Sequence, residues 1–135
     1  MAVSLDALRN VSIFAELNDR ELERLGHQFK ERTFPAGASV VSEGASGAAF
    51  FVIAEGQATV VVHGEERARL EAGDHFGEIA LLDEGVRSAT VVAETDLRCY
   101  GLTPWEFRPF VEDHPQVAWK LLQALARRLR TTQTT

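Results

Sequence analysis

A chain of 135 residues with net charge −6 suits one domain that buries roughly two-thirds of its unfolded surface, and its acidity argues against nucleic-acid binding as the main activity. Hydrophobic content of 45% beside 25% charged residues is ordinary for a globular protein and argues against disorder. The single cysteine, Cys99, excludes an internal disulfide framework and any four-cysteine metal or iron–sulfur site on one chain.

In chain order, MAVSLDALRN lacks a signal-peptide core and no later apolar run reaches membrane-spanning length. The expectation is a soluble cytoplasmic protein with no membrane segment. LDALRNVSIF predicts a turn or two of helix. Residues 18–30, NDRELERLGHQFK, open on a capping box, Asn18 as cap and Glu21 three residues on, with Leu22, Leu25 and Phe29 on one helical face. From Arg32 to about Leu102 the pattern changes to SVVS, AFFVIA, QATVVV, RARL, SATVVA and LRCYGL, short apolar runs bounded by glycines. Strands at this spacing indicate an antiparallel sandwich or jelly roll, with His63-Gly64 as a tight hairpin turn. Helix returns at T-P-W-E, with Thr103 as cap, Pro104 at the first helical position and Glu106 closing a second capping box. Phe107, Phe110 and Val111 form its apolar face, and Trp105 is read with Phe107 and Phe110 as core. After Asp113-His114-Pro115 the last helix runs PQVAWKLLQALARRLR. No long repeat or linker interrupts the chain, so residues 1–135 read as one all-β body with helical ends.

The chemistry concentrates in FGEIALLDEGVRSATVV, residues 76–92. Gly77 permits a close backbone turn, and IALL has the composition of one helical turn whose N-terminal N–H groups suit a phosphate. Arg87 adds a planar fork matched to phosphate oxygens. Glu78 would repel a phosphate but accepts from a sugar hydroxyl, so the pair describes a sugar phosphate or nucleotide site. The residues alone leave a second reading open, in which Glu78 and Arg87 form a solvated ion pair worth under ~1 kcal/mol.

FGEIALLDEGVRSATV closely resembles the phosphate-binding cassette of the cyclic nucleotide-binding domain family, whose pattern is F-G-E-L/I-A-L, a short variable turn, then R-S/A/T-A-T-V. The resemblance extends over nearly the whole chain. SIFAELNDRELERL is similar to the family's N-terminal helical segment, and FPAGASVVSEGASGAAFFVIAEGQATVV to its glycine-punctuated strands. LTPWEFRPFVEDHPQVAWKLLQALARRL is similar to its B and C helices. It implies a mainly β fold, an antiparallel jelly-roll β-barrel (double-stranded β-helix) flanked by N- and C-terminal helices. The implied division is residues 1–30 helical, 31–102 barrel with the cassette at 76–90, and 103–130 the B and C helices, with no helix-turn-helix domain. The implied activity is that of a sensor or regulatory module binding a cyclic nucleotide, without catalysis and with no cofactor or metal.

By the same resemblance Glu78 accepts from the ribose 2′-hydroxyl and Arg87 pairs the cyclic phosphate. Backbone groups around Gly77, Ile79 and Ala80 hold ribose and phosphate, with Ser88 beside them. Small residues after the arginine accompany cyclic AMP in the family and threonine accompanies cyclic GMP. Ser88 therefore implies a modest preference for cAMP, with cGMP also possible. Val86 departs from a frequent proline, and Ala45 and Ala48 from frequent aspartates. Ala118, Leu122, Leu125 and Leu129 recur at steps of four and three, as in a coiled-coil seam, and Thr132 is next on it. The implied roles are a homodimer through the C-terminal helix and contact from Thr132 to the base; the alternative is that the seam packs on the β body. The last residues, from about Arg127 to Thr135, are expected to be frayed without ligand and to close as a lid. The chain stops five residues after Arg130, so direct DNA binding is not expected and the effector is unknown.

Three alternatives compete. An interaction domain could keep the fold without ligand, although Glu78 and Arg87 are intact. A cupin-like metal enzyme would need a His-x-His pair that AAFFVIAEG lacks, and His27, His63, His75 and His114 fall in separate elements. A haem-based sensor would use Cys99 or His75, whereas Cys99 in LRCYGL reads as a buried structural thiol. Lys120, Arg127, Arg128 and Arg130 read as cations complementing the end of the helix dipole.

Overall fold

Two reciprocal caps fix where the flanking helices begin. Asn18 Oδ1 accepts from the Glu21 N–H at 2.9 Å while Glu21 Oε1 accepts from the Asn18 N–H at 2.9 Å, which starts a helix over Asp19–Gly26. At the other end the Glu106 carboxylate accepts from both the backbone N–H and the hydroxyl of Thr103, and Pro104 opens the helix Pro104–Asp113. Each cap satisfies donors that a helix start leaves bare, worth typically about 1 kcal/mol. The computed structural model describes residues 3–45, 49–83 and 86–132, the last without the Thr132 side chain.

Along the chain the described elements are α1 (Leu5–Arg9), a 3-10 turn at Ser12–Phe14, α2 (Asp19–Gly26), β1 (Lys30–Phe34), β2 (Ser39–Val41), β3 (Phe50–Glu55), β4 (Ala58–Val62), β5 (Glu65–Leu70), β6 (His75–Phe76), α3 (Ala80–Asp83), β7 (Thr90–Ala93), β8 (Leu97–Leu102), α4 (Pro104–Asp113) and α5 (Pro115–Thr132). Two four-stranded antiparallel sheets form, ordered β1-β8-β3-β6 and β2-β7-β4-β5. They make a jelly-roll β-barrel with flanking helices. β4 and β5 close at His63-Gly64, with Val62 opposite Glu65.

The central strands of the first sheet, β3 and β8, are largely apolar on both faces, and the strand period of two explains how. On β3, Phe50 and Val52 join the helical layer, while Phe51 and Ile53 enter the barrel interior. On β8, Tyr100 and Leu102 face the helices, and Leu97 and Cys99 the interior. Phe50 is fully buried and meets Phe14 and Phe29 edge-on at 5.9 and 5.8 Å, so truncating it to alanine would cost about 3–5 kcal/mol. Cys99 is sealed within the barrel, where burial pushes its thiol up to about 11; it is a protonated packing group.

Some expectations need correction. The helix after Asn18 stops at Gly26, and Phe29 reaches the core from the turn beyond it. β1, with the sequence KERTF, has an almost wholly exposed edge and no apolar alternation to announce it. Trp105 is 71% exposed, so it is not core. In α5 the buried face, turned to the 3-10 turn and α4, is Val117, Leu121 and Ala124, with Leu125 partly buried; Leu122 and Leu129 stay exposed. The heptad seam is thus mostly left outside. The basic residues of α5 do more than complement a dipole: Lys120 Nζ pairs Glu21 Oε1 at 2.6 Å, Arg127 pairs Glu16 at 2.7 Å, and Arg128 donates to Ser12 Oγ at 3.3 Å. They clasp the C-terminal helix to the N-terminal helices. Glu21 is held below the usual carboxylate range: burial opposes this, but hydrogen bonds from Lys120 and the Asn18 N–H outweigh it.

Candidate functional site

Gly77 follows β6 with φ +86°, in the left-handed region. A Cβ there would stand 2.5 Å from Arg87 Nη1 and 2.9 Å from the Ala49 carbonyl oxygen. Glycine is needed twice over, for its backbone angle and for the space Arg87 fills. The next residues wind into a turn, with Ala80 N–H donating to Gly77 O at 3.1 Å and Leu81 N–H to Glu78 O at 3.2 Å, and α3 follows.

Arg87 is only 8% exposed. Its backbone is gripped on both sides by the loop after β2, Gly44 N–H donating to its carbonyl at 2.8 Å and its own N–H to Ala45 O at 3.0 Å. Nη2 donates to the Ala49 carbonyl, and Nε is buried without a hydrogen-bond partner among the described residues. Burial lowers the pKa of this guanidinium, yet an arginine remains charged at any ordinary pH. A buried cation with an unanswered donor is a site waiting for an acceptor.

Glu78 is not paired with Arg87 among the described ion pairs, which removes the reading of a solvated pair between them. Its side chain is 14% exposed and lies between the His75 ring, Nδ1 3.5 Å from Oε2, and the Arg128 guanidinium, Nη1 3.6 Å from Oε1. Both distances exceed those of well-formed hydrogen bonds, so neither contact is a closed hydrogen bond. The contact with His75 holds the carboxyl below its usual range against the opposing effect of burial, and Arg128 adds a smaller lowering. Glu78 is therefore an ionised acceptor at neutral pH.

Of the residues expected in the site, Gly77 and Arg87 touch and Glu78 adjoins them. Ile79 and Ala80 start the turn above. Ser88 follows Arg87 and is exposed; Val86 is 69% exposed. Thr132 ends α5, with its side chain outside the described residues, as are Ala48 and residues 133–135. Three contributors escaped the sequence reading. The Ala49 carbonyl is backbone and leaves no sequence signal. His75 was weighed only as a metal ligand, although its three-residue spacing to Glu78 was visible. Arg128 meets Glu78 only through the fold. Among the described residues no group of three or more His, Cys, Asp or Glu could hold a metal ion, and no helix is long and apolar enough to cross a membrane.

This arrangement, a buried arginine and a carboxylate on either side of a glycine turn in a jelly roll, defines a class of small-ligand binding domain. A family model described as the cyclic nucleotide-binding domain matches residues 31–114, and the chain belongs to that family. Among curated relatives it is 34% identical over 128 residues to a cyclic AMP receptor protein of Thermus thermophilus, covering 91% of this chain and 59% of the relative. It is 38% identical over 93 residues to a cAMP-dependent protein kinase regulatory subunit of Yarrowia lipolytica, covering 67% and 25% respectively. The chain thus spans only part of the relatives it matches. Among solved structures, the N-terminal domain of a transcriptional regulator from Streptomyces coelicolor superposes with TM-score 0.85 at 32% identity, over 94% of both chains. Thermus thermophilus catabolite activator protein gives 0.70 at 35% identity, over 89% of this chain and 59% of that one.

Proposed function

We propose that this domain is a non-catalytic sensor that binds cAMP in preference to cGMP. Arg87 takes the cyclic phosphate together with backbone N–H groups around Gly77, Ile79 and Ala80, and Glu78 accepts from the ribose 2′-hydroxyl. The observation that carries the reading is Arg87 itself, buried, charged and with Nε unanswered among the described residues, against a glycine that leaves room for it alone. An anion with several acceptor oxygens supplies what that guanidinium lacks. The names of the relatives, a cyclic AMP receptor and a cAMP-dependent kinase regulatory subunit, favour cAMP. Calorimetric titration with cAMP and cGMP tests the proposal; no heat from either ligand would overturn it.

The signal leaves through α5 in this reading. Its outer face carries Leu122 and Leu129, 57% and 61% exposed, and adjoins a groove of about 570 Å³ lined by Leu81, Leu82, Trp105, Val111, Leu122 and Leu125. Exposed leucines on a helix already seated by its other face suit a second copy of the helix. Leu122→Glu should leave a dimer of this chain monomeric in sedimentation; a monomeric wild type at high concentration, with cAMP present, would sink the dimer.

A further inference from the structure

His75 has a part that neither its sequence position nor the phosphate contacts explain. Its ring stands edge-on to Phe50, centroids 5.8 Å apart at 72°, so the ring plane is fixed by the core. Nδ1 is sealed from solvent and has no hydrogen-bond partner among the described residues, while Glu78 Oε2 stands 3.5 Å away. A buried ring nitrogen left unmade is costly, and native structures keep few of them. The group able to relieve it is the Glu78 carboxylate, which needs to move by only a few tenths of an ångström to make a normal bond.

The other carboxylate oxygen, Oε1, faces Arg128 of α5 at 3.6 Å. Glu78 therefore stands between a fixed nitrogen on the barrel and a long side chain on the last helix. Neither contact is closed, as is common for binding-site hydrogen bonds before the ligand arrives. A carboxylate has about four acceptor sites, so a donor on Oε2 leaves Oε1 open to a sugar hydroxyl. We propose that His75 is the positioning residue for Glu78: Nδ1–H donates to Oε2 when ligand binds and aims Oε1 at the ribose 2′-hydroxyl. The tautomer follows, since an Nδ1 facing a carboxylate carries the proton. This role rests on the reading of Glu78 as the hydroxyl acceptor.

The test compares cAMP with 2′-deoxy-cAMP, which lacks only the hydroxyl concerned. His75→Phe keeps a ring against Phe50 and removes the donor; His75→Leu is a second donor-free variant should the first fold poorly. His75→Asn carries an amide nitrogen near the place of Nδ1. In calorimetry the wild type should prefer cAMP by about tenfold or more, as expected for a hydrogen bond to a charged group. The donor-free variants should lose most of that preference by binding cAMP more weakly, with 2′-deoxy-cAMP affinity unchanged, and His75→Asn should recover part of it. Full discrimination in both donor-free variants, or equal weakening of the two ligands, would overturn the positioning role while sparing cyclic nucleotide binding. A wild type that binds both ligands equally would remove the Glu78 role and that of His75 with it. A wild type that binds neither would overturn the whole reading.

Discussion

Arg87 and Glu78 lie nine residues apart, and different parts of the molecule hold them. Arg87 is gripped by the barrel alone: its backbone bonds to Gly44 and Ala45, its guanidinium to the Ala49 carbonyl, with Gly77 against it. Glu78 stands between His75 of the barrel and Arg128 of the last helix. The proposed anion end is thus held by main-chain contacts. The proposed hydroxyl end is shared with α5, the helix through which the proposed signal leaves. Binding strength should then depend mostly on the first, and communication mostly on the second.

The largest expected effect breaks the first half. Arg87→Ala removes the partner of a partly desolvated phosphate, at ~2–5 kcal/mol of binding, on the order of 30-fold to several-thousand-fold in affinity. The fold should survive, because the cost of burying the guanidinium offsets the hydrogen bond it makes to the Ala49 carbonyl. Arg87→Lys should recover only part of the loss, since an ammonium cannot offer two parallel donors. Calorimetry with cAMP checks both, and equal affinity for wild type and Arg87→Ala would remove the phosphate role.

Gly77→Ala tests whether the cradle itself is preformed. Gly37 has nearly the same backbone angle, φ +87° against +86°, but a Cβ there would meet nothing within 4 Å. Gly37→Ala should therefore show backbone strain alone, about 1–3 kcal/mol in urea unfolding, with affinity unchanged. Gly77→Ala carries the same strain and also drives a methyl into Arg87 and the Ala49 carbonyl, so affinity should fall at least about tenfold. Matching affinities in the two variants would mean Arg87 yields freely and is not held in place.

Much of this was legible in the sequence, and the limits have physical causes. Capping boxes at Asn18 and Thr103, the runs FFVI and RCYGL, and the glycine turn at Gly77 follow from local chemistry, and each is present. β1 was missed because KERTF pairs through its backbone at a solvated edge and needs no apolar pattern. Trp105 was misplaced because periodicity gives a helix's faces without saying which meets a neighbour. The cassette pattern brought Glu78 and Arg87 to attention. Their surroundings come from residues as far off as Ala49 and Arg128, whose approach only the closed barrel and the seated helix create.

Glu78→Gln breaks the second half more gently. A neutral amide oxygen still accepts from a hydroxyl, so the expected loss is about 1–3 kcal/mol of cAMP binding, below that of Arg87→Ala. The contact with Arg128 of α5 weakens as well, so amide exchange in α5 should quicken in the variant. The pH dependence has a definite sign. With its folded pKa lowered by His75 and Arg128, Glu78 contributes fully above the unfolded carboxylate value of about 4.3. That contribution is lost only as pH falls through the lower folded value. The acid loss of the Glu78 share of stability should therefore occur below the unfolded carboxylate value in urea titrations, measured as the difference between wild type and Glu78→Gln.

The smallest effect concerns the base. Ser88 follows Arg87 and is exposed, so its hydroxyl can reach a ligand without being required for the fold. One neutral hydrogen bond is worth about 0.5–1.5 kcal/mol net, which bounds the discrimination it can supply at roughly two- to twelvefold. A guanine offers this hydroxyl an extra partner in its exocyclic amine, whereas adenine gains nothing specific. Ser88→Ala should thus weaken cGMP within that range and leave cAMP nearly unchanged, widening a modest preference for cAMP in competition binding. The phosphate and ribose contacts are common to both ligands, so Arg87→Ala should weaken both alike and leave their ratio intact. If Ser88→Ala instead weakened both nucleotides equally, the hydroxyl would belong with Arg87 as part of the phosphate cradle, and base choice would have to come from α5.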